Sequence, residues 1–341
     1  MKKERLNVKN KKVVFSEAWK VEVLQDNHFN PKLSANEVLL KKRYTLISPG
    51  TELACLSGNE SWFSMPTVPG YSAVSEIIET GIDVKDFNVG DVVFHYGTHS
   101  EYEVAKVDGV FLKVPDGIDL TWVPFVRMAT VAMTSIRVSN IELGDMVMVT
   151  GLGLIGNMAS QLAALQGASV IGIDLSQQRL EIARECGVEH VLAGNADVKE
   201  KVRGITTDRG VSTLIEATGV PSVSLDHVSS VGKYGEVILL GSPRGACEAN
   251  VTDLLNRIHL NDLGCISFKG AHEWRYPLMP DVFVKHSLVR NSRIVFKLMQ
   301  QKKIKIEPLI SHILLPDEAP SAYEGLRNKK DEYSGVLYKW Q

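Results

Sequence analysis

The stretch MVMVTGLGLIG, residues 146–156, decides the fold of this chain. Met146–Gly151 is an apolar run of strand length, and Gly151, Gly153 and Gly156 follow it as G-x-G-x-x-G. After the glycines, Ile155, Met158, Ala159, Leu162 and Leu165 recur at helical spacing as far as Gly167. A glycine motif that leaves a strand and opens a helix has a physical reading as a dinucleotide site. Gly151 permits the tight turn, Gly153 lets the backbone approach a pyrophosphate, and Gly156 allows close helix–strand packing. Leu154 and Ile155 then supply the first helical N–H groups, which face the phosphate charge. Asp174 ends the next strand, SVIGID, where a carboxylate accepts from ribose hydroxyls. No Arg follows it directly to neutralise a 2′-phosphate, so the pattern favours NAD over NADP. Arg179 is placed to stack on adenine or to reach in sideways.

Outward from this unit, the chain changes texture near Val126. Before it, short apolar or alternating runs at 38–47, 73–78, 90–96 and 101–107 are separated by Pro49-Gly50, Pro69-Gly70 and Asn88-Val89-Gly90. After it, strands are expected at 169–174, 213–219, 236–241 and 266–270, with a helix that Ser176 caps and Gly187 closes. This alternation predicts an α/β chain with a doubly wound parallel sheet. Thr218, next to last in one of those strands, and Gly241, last in another, join the cofactor-site candidates. Helical segments are expected around 281–300, and GVLYKW forms a last apolar run.

The 341 residues exceed the roughly 250–300 at which a single core stops growing, so two domains are expected. With 38 Lys and Arg against 40 Asp and Glu, the chain carries no nucleic-acid footprint. No apolar run approaches the roughly 18 residues that span a bilayer. The basic opening MKKERLNVKNKK lacks a following apolar segment and reads as a solvated, frayed terminus rather than a signal peptide. Cys55, Cys186, Cys247 and Cys265 are too scattered for a disulfide framework or a cysteine-rich zinc lobe, which suits a cytoplasmic protein.

Taken together, EVLLKKRYTLISPGTEL, PGYSAVSEIIETGIDVKDFNVGDVV, the glycine motif, IEATG and GEVILLGSP resemble the medium-chain dehydrogenase/reductase family of zinc alcohol dehydrogenases. The resemblance covers nearly the whole chain. It implies a GroES-like β-barrel substrate domain at 1–126, a Rossmann domain at 127–267, and a C-terminal return to the barrel at 268–341. It also implies an active cleft between the two, a small-molecule substrate and a homodimer or homotetramer. The departures are specific. Pro49 stands where the family has its first zinc-ligating Cys, and Gly70-Tyr71-Ser72 replaces Gly-His-Glu. Arg127 aligns with a further ligand Glu, and the four-cysteine structural loop has no counterpart between Val93 and His99. Zinc needs thiolate, imidazole or carboxylate ligands, so neither a catalytic nor a structural zinc is expected. A relocated site would have to use His95 and His99 with Glu52 or Cys55. Within the family the chain is similar to a zinc-lacking branch that includes bacteriochlorophyllide dehydrogenases and sugar or glycoside 3-dehydrogenases.

Without a metal, a side chain must take the alcohol proton and a cation or donor must stabilise the oxyanion. His99 is the leading base, since histidine titrates near working pH, while a turn-capping histidine is the competing reading. Tyr71 occupies the lost ligand's place, and Thr51 matches the family's proton-relaying hydroxyl, although Ala54 stands where its relay histidine would be. Arg127 is the candidate cation, with an ordinary salt bridge as the alternative; Glu52 is assigned an orienting role, pairing with Arg127. His272 and Trp274, in AHEWRY, suit either a polyhydroxyl substrate or a subunit interface. The function expected is a zinc-independent, NAD-dependent secondary-alcohol dehydrogenase acting on a sugar, glycoside or polyol. The rivals are a zinc-free enoyl or quinone reductase and a silent dinucleotide-binding protein.

Overall fold

The computed structural model describes residues 8–195 and 197–340. The barrel side begins with the hairpin β1 (Val8–Glu17) and β2 (Lys20–Phe29). It continues through β3 (Glu37–Leu46), α1 (Pro49–Leu56), β4 (Ala73–Thr80), β5 (Val92–His95), β6 (Tyr102–Lys106) and β7 (Phe111–Lys113). Helix α2 (Phe125–Val138) leads to β8 (Met146–Thr150), α3 (Leu154–Gln166), β9 (Ser169–Asp174), α4 (Gln177–Glu185) and β10 (His190–Ala193). Then follow α5 (Val198–Ile205), β11 (Val211–Glu216), α6 (Pro221–His227), β12 (Val231–Leu239), α7 (Val251–His259) and β13 (Ser267–Gly270). The chain closes with α8 (Leu288–Gln300), β14 (Ile310–Leu314), α9 (Ala319–Asn328) and β15 (Gly335–Lys339).

Six parallel strands lie in the order β10-β9-β8-β11-β12-β13. The order reverses direction between β8 and β11, and a crevice at the carboxyl ends of such strands is where ligands bind in open α/β sheets. The other large sheet runs β14-β15-β3-β4-β5-β7, with β6 also paired to β3. Strands β14 and β15 therefore bring the end of the chain back beside its beginning. The expected α/β architecture, a parallel Rossmann-type sheet beside a mainly antiparallel one in which only β14 and β15 pair in parallel, is the one observed.

Burial explains why the elements hold. β8 and β11 are covered on both faces, so their inward residues divide between two cores. Val147, Val149 and Ile215 join one core with Met158 and Leu162 of α3, while Met148 and Leu214 join the other with Ile171 and Val237. Helix α2 is the mechanical link. Phe125, Met128, Ala129 and Ala132 share a cluster with Leu46, Val74 and Phe94 of the barrel and with Val147 and Met158 of the parallel sheet. Removing the Phe125 ring, which is fully buried, would cost about 3–5 kcal/mol.

Three expectations need correction. The basic opening is not a loose tail from residue 8 on, because β1 pairs with β2 in register Val13↔Val23. Asn10, fully buried, holds it further by bonding both the N–H and the carbonyl of Tyr102. Pro49-Gly50 is a helix start rather than a plain turn, since proline suits the first helical position. The helix expected around 281–300 begins only at Leu288, where the Ser287 hydroxyl accepts from the Arg290 N–H; Asp281 and Val284 form an antiparallel bridge before it. Among the described residues no helix is long and apolar enough to cross a membrane.

Candidate active site

The glycine turn after β8 behaves as its spacing predicts. Gly151 has φ +84°, and a Cβ on Gly156 would lie 1.7 Å from the Gly151 carbonyl oxygen, so neither tolerates a side chain. A Cβ on Gly153 would meet nothing within 4 Å. No side chain caps α3, whose first-turn N–H groups are thus left to that open space. Leu154 and Ile155 pack into the core, so they serve this space through their backbone alone. Asp174 is nearly buried; its Oδ2 accepts from the Leu152 N–H at 2.7 Å and its Oδ1 from the Ser176 N–H at 2.9 Å. Arg179 Nη1 stands 3.7 Å from Asp174 Oδ2, while Nη2 donates to the Lys330 carbonyl at 3.1 Å. These residues fit a dinucleotide: an open glycine cradle at a helix N-terminus, and a carboxylate oriented by two amides.

Across the switch point, β11 ends at Glu216, three residues before the expected Gly219. The Glu216 carboxylate accepts from the Thr218 N–H at 2.6 Å, the Thr218 hydroxyl and the Gly219 N–H, which folds the chain into a turn. Burial pushes this carboxyl above its ordinary value. A Cβ on Gly241 would lie 2.3 Å from the Gly219 nitrogen and one on Gly151 would lie 2.7 Å from the Thr218 methyl, so these three turns pack against one another.

The candidate catalytic residues come from five segments, 48–51, 70–71, 96, 127–130 and 273–274. Gly70, at φ +98°, turns the chain so that Tyr71 follows β4's approach; a Cβ there would come within 2.9 Å of His99. The Tyr71 hydroxyl donates to Ser48 Oγ, and the Thr51 hydroxyl is a second partner. Burial raises the Tyr71 phenol above its ordinary range. Arg127, in the first turn of α2, is 5% exposed and enclosed by aromatic rings. Its guanidinium carbon lies 3.8 Å from the Tyr96 ring centre, 5.1 Å from Tyr71 and 5.3 Å from Trp274. Its Nη1 donates to Glu273 Oε1, and its Nε is buried without a partner. Glu273 is 6% exposed and also accepts from the Tyr96 hydroxyl at 3.3 Å and from Thr130 at 3.4 Å. Burial raises its carboxyl, with Arg127 opposing.

Of the residues singled out from sequence, Thr51, Tyr71, Arg127 and Trp274 come together. His99 and Glu52 do not join them. His99 is fully buried, with Nδ1 2.8 Å from Thr45 Oγ1 and Nε2 3.1 Å from Glu52 Oε2, so both ring nitrogens are engaged inside the barrel. That geometry contradicts its assignment as the cleft base. Glu52 pairs with His99 rather than Arg127, and also accepts from the Tyr323 hydroxyl and the Ser48 N–H. His272 is exposed at the start of a short helical turn. His95 is hydrogen-bonded to Ser75 at 2.8 Å, and burial followed by Lys42 pulls it down to about 3. Among the described residues no three His, Cys, Asp or Glu side chains are arranged to hold a metal. Sequence reasoning missed Tyr96 and Glu273; Glu273 stood between two singled-out residues, but nothing in the sequence says that it meets Arg127.

Known proteins place this geometry. Residues 155–282 match the family described as zinc-binding dehydrogenase. That segment is similar to a zinc-binding dehydrogenase domain. D-guloside 3-dehydrogenase of Escherichia coli (strain K12) is 29% identical over 258 residues, covering 74% of this chain and 72% of that protein. Sorbitol dehydrogenase of Halalkalibacterium halodurans is 25% identical over 334 residues, covering 87% and 90%. The fold matches galactitol-1-phosphate dehydrogenase of Escherichia coli with a TM-score of 0.82 at 19% identity, covering 96% and 99% of the two chains. It also matches an Escherichia coli CFT073 alcohol dehydrogenase complexed with NADH, with a TM-score of 0.81 at 18% identity, covering 97% and 99%. The relatives are alcohol-, sugar- and polyol-dehydrogenase-like oxidoreductases. Zinc does not fit the groups that replace the family's ligands here. Pro49 has no donor atom in its side chain, Tyr71 and Ser72 offer hydroxyls, and Arg127 brings a permanent positive charge with no lone pair to give.

Proposed function

We propose that this protein is an NAD-dependent oxidoreductase that interconverts a secondary alcohol and a ketone without zinc, on a sugar, glycoside or polyol. The observation that carries the reading is the caged guanidinium of Arg127 beside Tyr71 and Glu273. It sets a fixed cation and a phenol where the family's metal ligands would stand. When bound, nicotinamide supplies the hydride acceptor or donor. The chain's own residues supply the rest. Tyr71, held protonated by burial, gives its proton to a ketone oxygen; in the oxidising direction the alcohol proton replaces the Tyr71 proton as that one moves to Ser48 Oγ and a Ser48 proton leaves to solvent. Arg127, a fixed buried charge beside Tyr71, favours the developing oxyanion through its field rather than by direct contact. Trp274, 54% exposed beside them, presents an aromatic face that suits a sugar ring.

Asp174 supports NAD over NADP, because its carboxylate repels a 2′-phosphate and Arg179 is tied to the Lys330 carbonyl. Substrate work then falls to 1–126 with the return at 268–341, and cofactor binding to 127–267. Arg127 and Glu273 meet from opposite sides of that division. The near-complete exposure of Val282 and Phe283, at 93% and 92%, supports a homo-oligomer that covers them. Free Cys247 and Cys265 on the surface suit the reducing cytoplasm. Metal-stripped protein, assayed with NAD against a panel of glycosides and polyols, tests the proposal. Turnover that appears only on adding zinc sinks the mechanism, and clear NADPH preference moves the reading to a reductase. NAD binding with no turnover on any substrate leaves a silent binding protein.

A further inference from the structure

A second group of cations gathers at the far end of α2 from the candidate active site. Arg137 lies ten residues after Arg127 on that helix, about 15 Å along its axis. Its Nη2 reaches only the Met133 sulfur at 3.5 Å, and its Nε is buried without a partner. Arg290 Nη1 approaches His286 Nδ1 at 3.0 Å, so the imidazole accepts there and is neutral. Tyr276 packs edge-on against His286, with ring centres 5.3 Å apart. The arginines that have carboxylate partners are Arg43, Arg127, Arg179 and Arg244; among the described residues Arg137 and Arg290 have none.

Two further features make this arrangement unfavourable as it stands. Arg290 sits in the first turn of α8, which contains no acidic residue, so its charge faces the positive end of the helix dipole. His286 is driven down to about 4, by burial first and then by Arg137, Arg290 and Lys285. Burial leads that shift, and the three cations beside it add to it with no carboxylate named against them. The amides of Leu288 and Val289 already donate to the Pro277 and Leu278 carbonyls, so the helix end alone offers no vacancy. The free donors are the guanidiniums, whose planar forks match the oxygens of a phosphate-type anion.

We propose that Arg137, Arg290, Lys285 and His286, with the Tyr276 hydroxyl, form a binding site for a phosphate-type oxyanion. The site is separate from the dinucleotide crevice and does not rest on the dehydrogenase reading. The test titrates inorganic phosphate, at ionic strength held constant with chloride, into NADH-saturated protein and again without NADH. Methyl phosphate in place of inorganic phosphate distinguishes a phosphomonoester ligand from the free ion. Thermal midpoint and the His286 ring resonance are followed. The expected result is a saturable rise in midpoint in both states, with the His286 titration moving upward as the anion binds. Arg290→Gln weakens the apparent Kd about tenfold or more, as losing a charged hydrogen-bond donor does. Lys285→Gln, at an exposed position that leaves folding intact, weakens it by a smaller factor, and Arg179→Gln leaves it unchanged. A phosphate response that survives Arg290→Gln, or a His286 titration that ignores phosphate, overturns the proposal. So does a phosphate-silent protein whose self-association is lost in Arg290→Gln, which makes the cluster an interface instead.

Discussion

The Arg127–Glu273 pair can be taken apart one charge at a time. Both side chains are buried, at 5% and 6% exposure, so replacing either leaves the other without its counter-ion. Breaking a buried pair in this way costs about 3–5 kcal/mol, whereas replacing both partners by apolar residues is close to neutral. Glu273→Leu strands a guanidinium that cannot shed its proton, although the Tyr71, Tyr96 and Trp274 faces compensate it by about 0.5–2 kcal/mol each. The expected cost is therefore about 3 kcal/mol. Arg127→Met strands a carboxyl that can neutralise itself, so its cost depends on pH. Burial already raises the Glu273 carboxyl with Arg127 opposing, and removing Arg127 raises it further. A raised carboxyl binds more protons in the folded state than in the unfolded one, so stability falls as pH rises from the ordinary carboxylate value through the folded one. Arg127→Met is thus nearest to wild type in acid and most destabilised at neutral pH and above. Urea unfolding of the wild type, both single variants and the double variant at pH 5 and pH 8 measures all of this. The double variant should recover most of the stability and none of the turnover. A double variant no more stable than the worse single one, or a Glu273→Leu cost below about 1 kcal/mol, refutes the buried-pair reasoning.

Further expectations follow from the same geometry. Gly153→Ala should fold normally, because its Cβ meets nothing, yet weaken NADH binding by blocking the close approach of the pyrophosphate; Gly156→Ala should lose about 3 kcal/mol of stability, because its Cβ collides with the Gly151 carbonyl. Tyr71→Phe should lower kcat by about 10²-fold or more with little change in thermal midpoint, as expected for a general acid–base group. His99→Ala should do the opposite, unfolding at lower temperature since it leaves the Glu52 carboxylate short of a partner inside the barrel, with kcat in the surviving folded fraction near wild type. Asp174→Ala should raise the affinity for NADPH relative to NADH, because it frees Arg179 and removes a negative charge; isothermal titration with the two cofactors reads it.

The glycine turn and the strands and helices around it were legible because their geometry is local. Gly151, Gly153, Gly156 and Asp174 sit within a strand–turn–helix–strand unit whose geometry is set by nearest neighbours in the chain, so periodicity and glycine placement were enough. β9 begins and ends where its sequence run does, at Ser169 and Asp174. The helix after it is capped at Ser176, as expected, with the Arg179 N–H donating to the serine hydroxyl. Elements that depend on distant partners were not legible. β1 reads as a basic tail until β2, Thr67 and Ser100 pair with it. Helix α2 carries no start signal beyond Pro124, and its identity as the link between two cores exists only once both cores are assembled.

The same division runs through the chemistry. The sequence by itself determined the parallel sheet, the glycine cradle, and the residue types at positions 49, 71, 72 and 127. Those are properties of short stretches. Only the tertiary structure decided which charges meet. Glu273 lies 146 positions from Arg127 and Tyr323 lies 271 from Glu52, and no pattern along the chain encodes such pairings. Burial then made the choices binding. Once His99 and Glu52 were enclosed together in the barrel they satisfied each other, while Arg127 beside Tyr71 met a carboxylate from the returning chain.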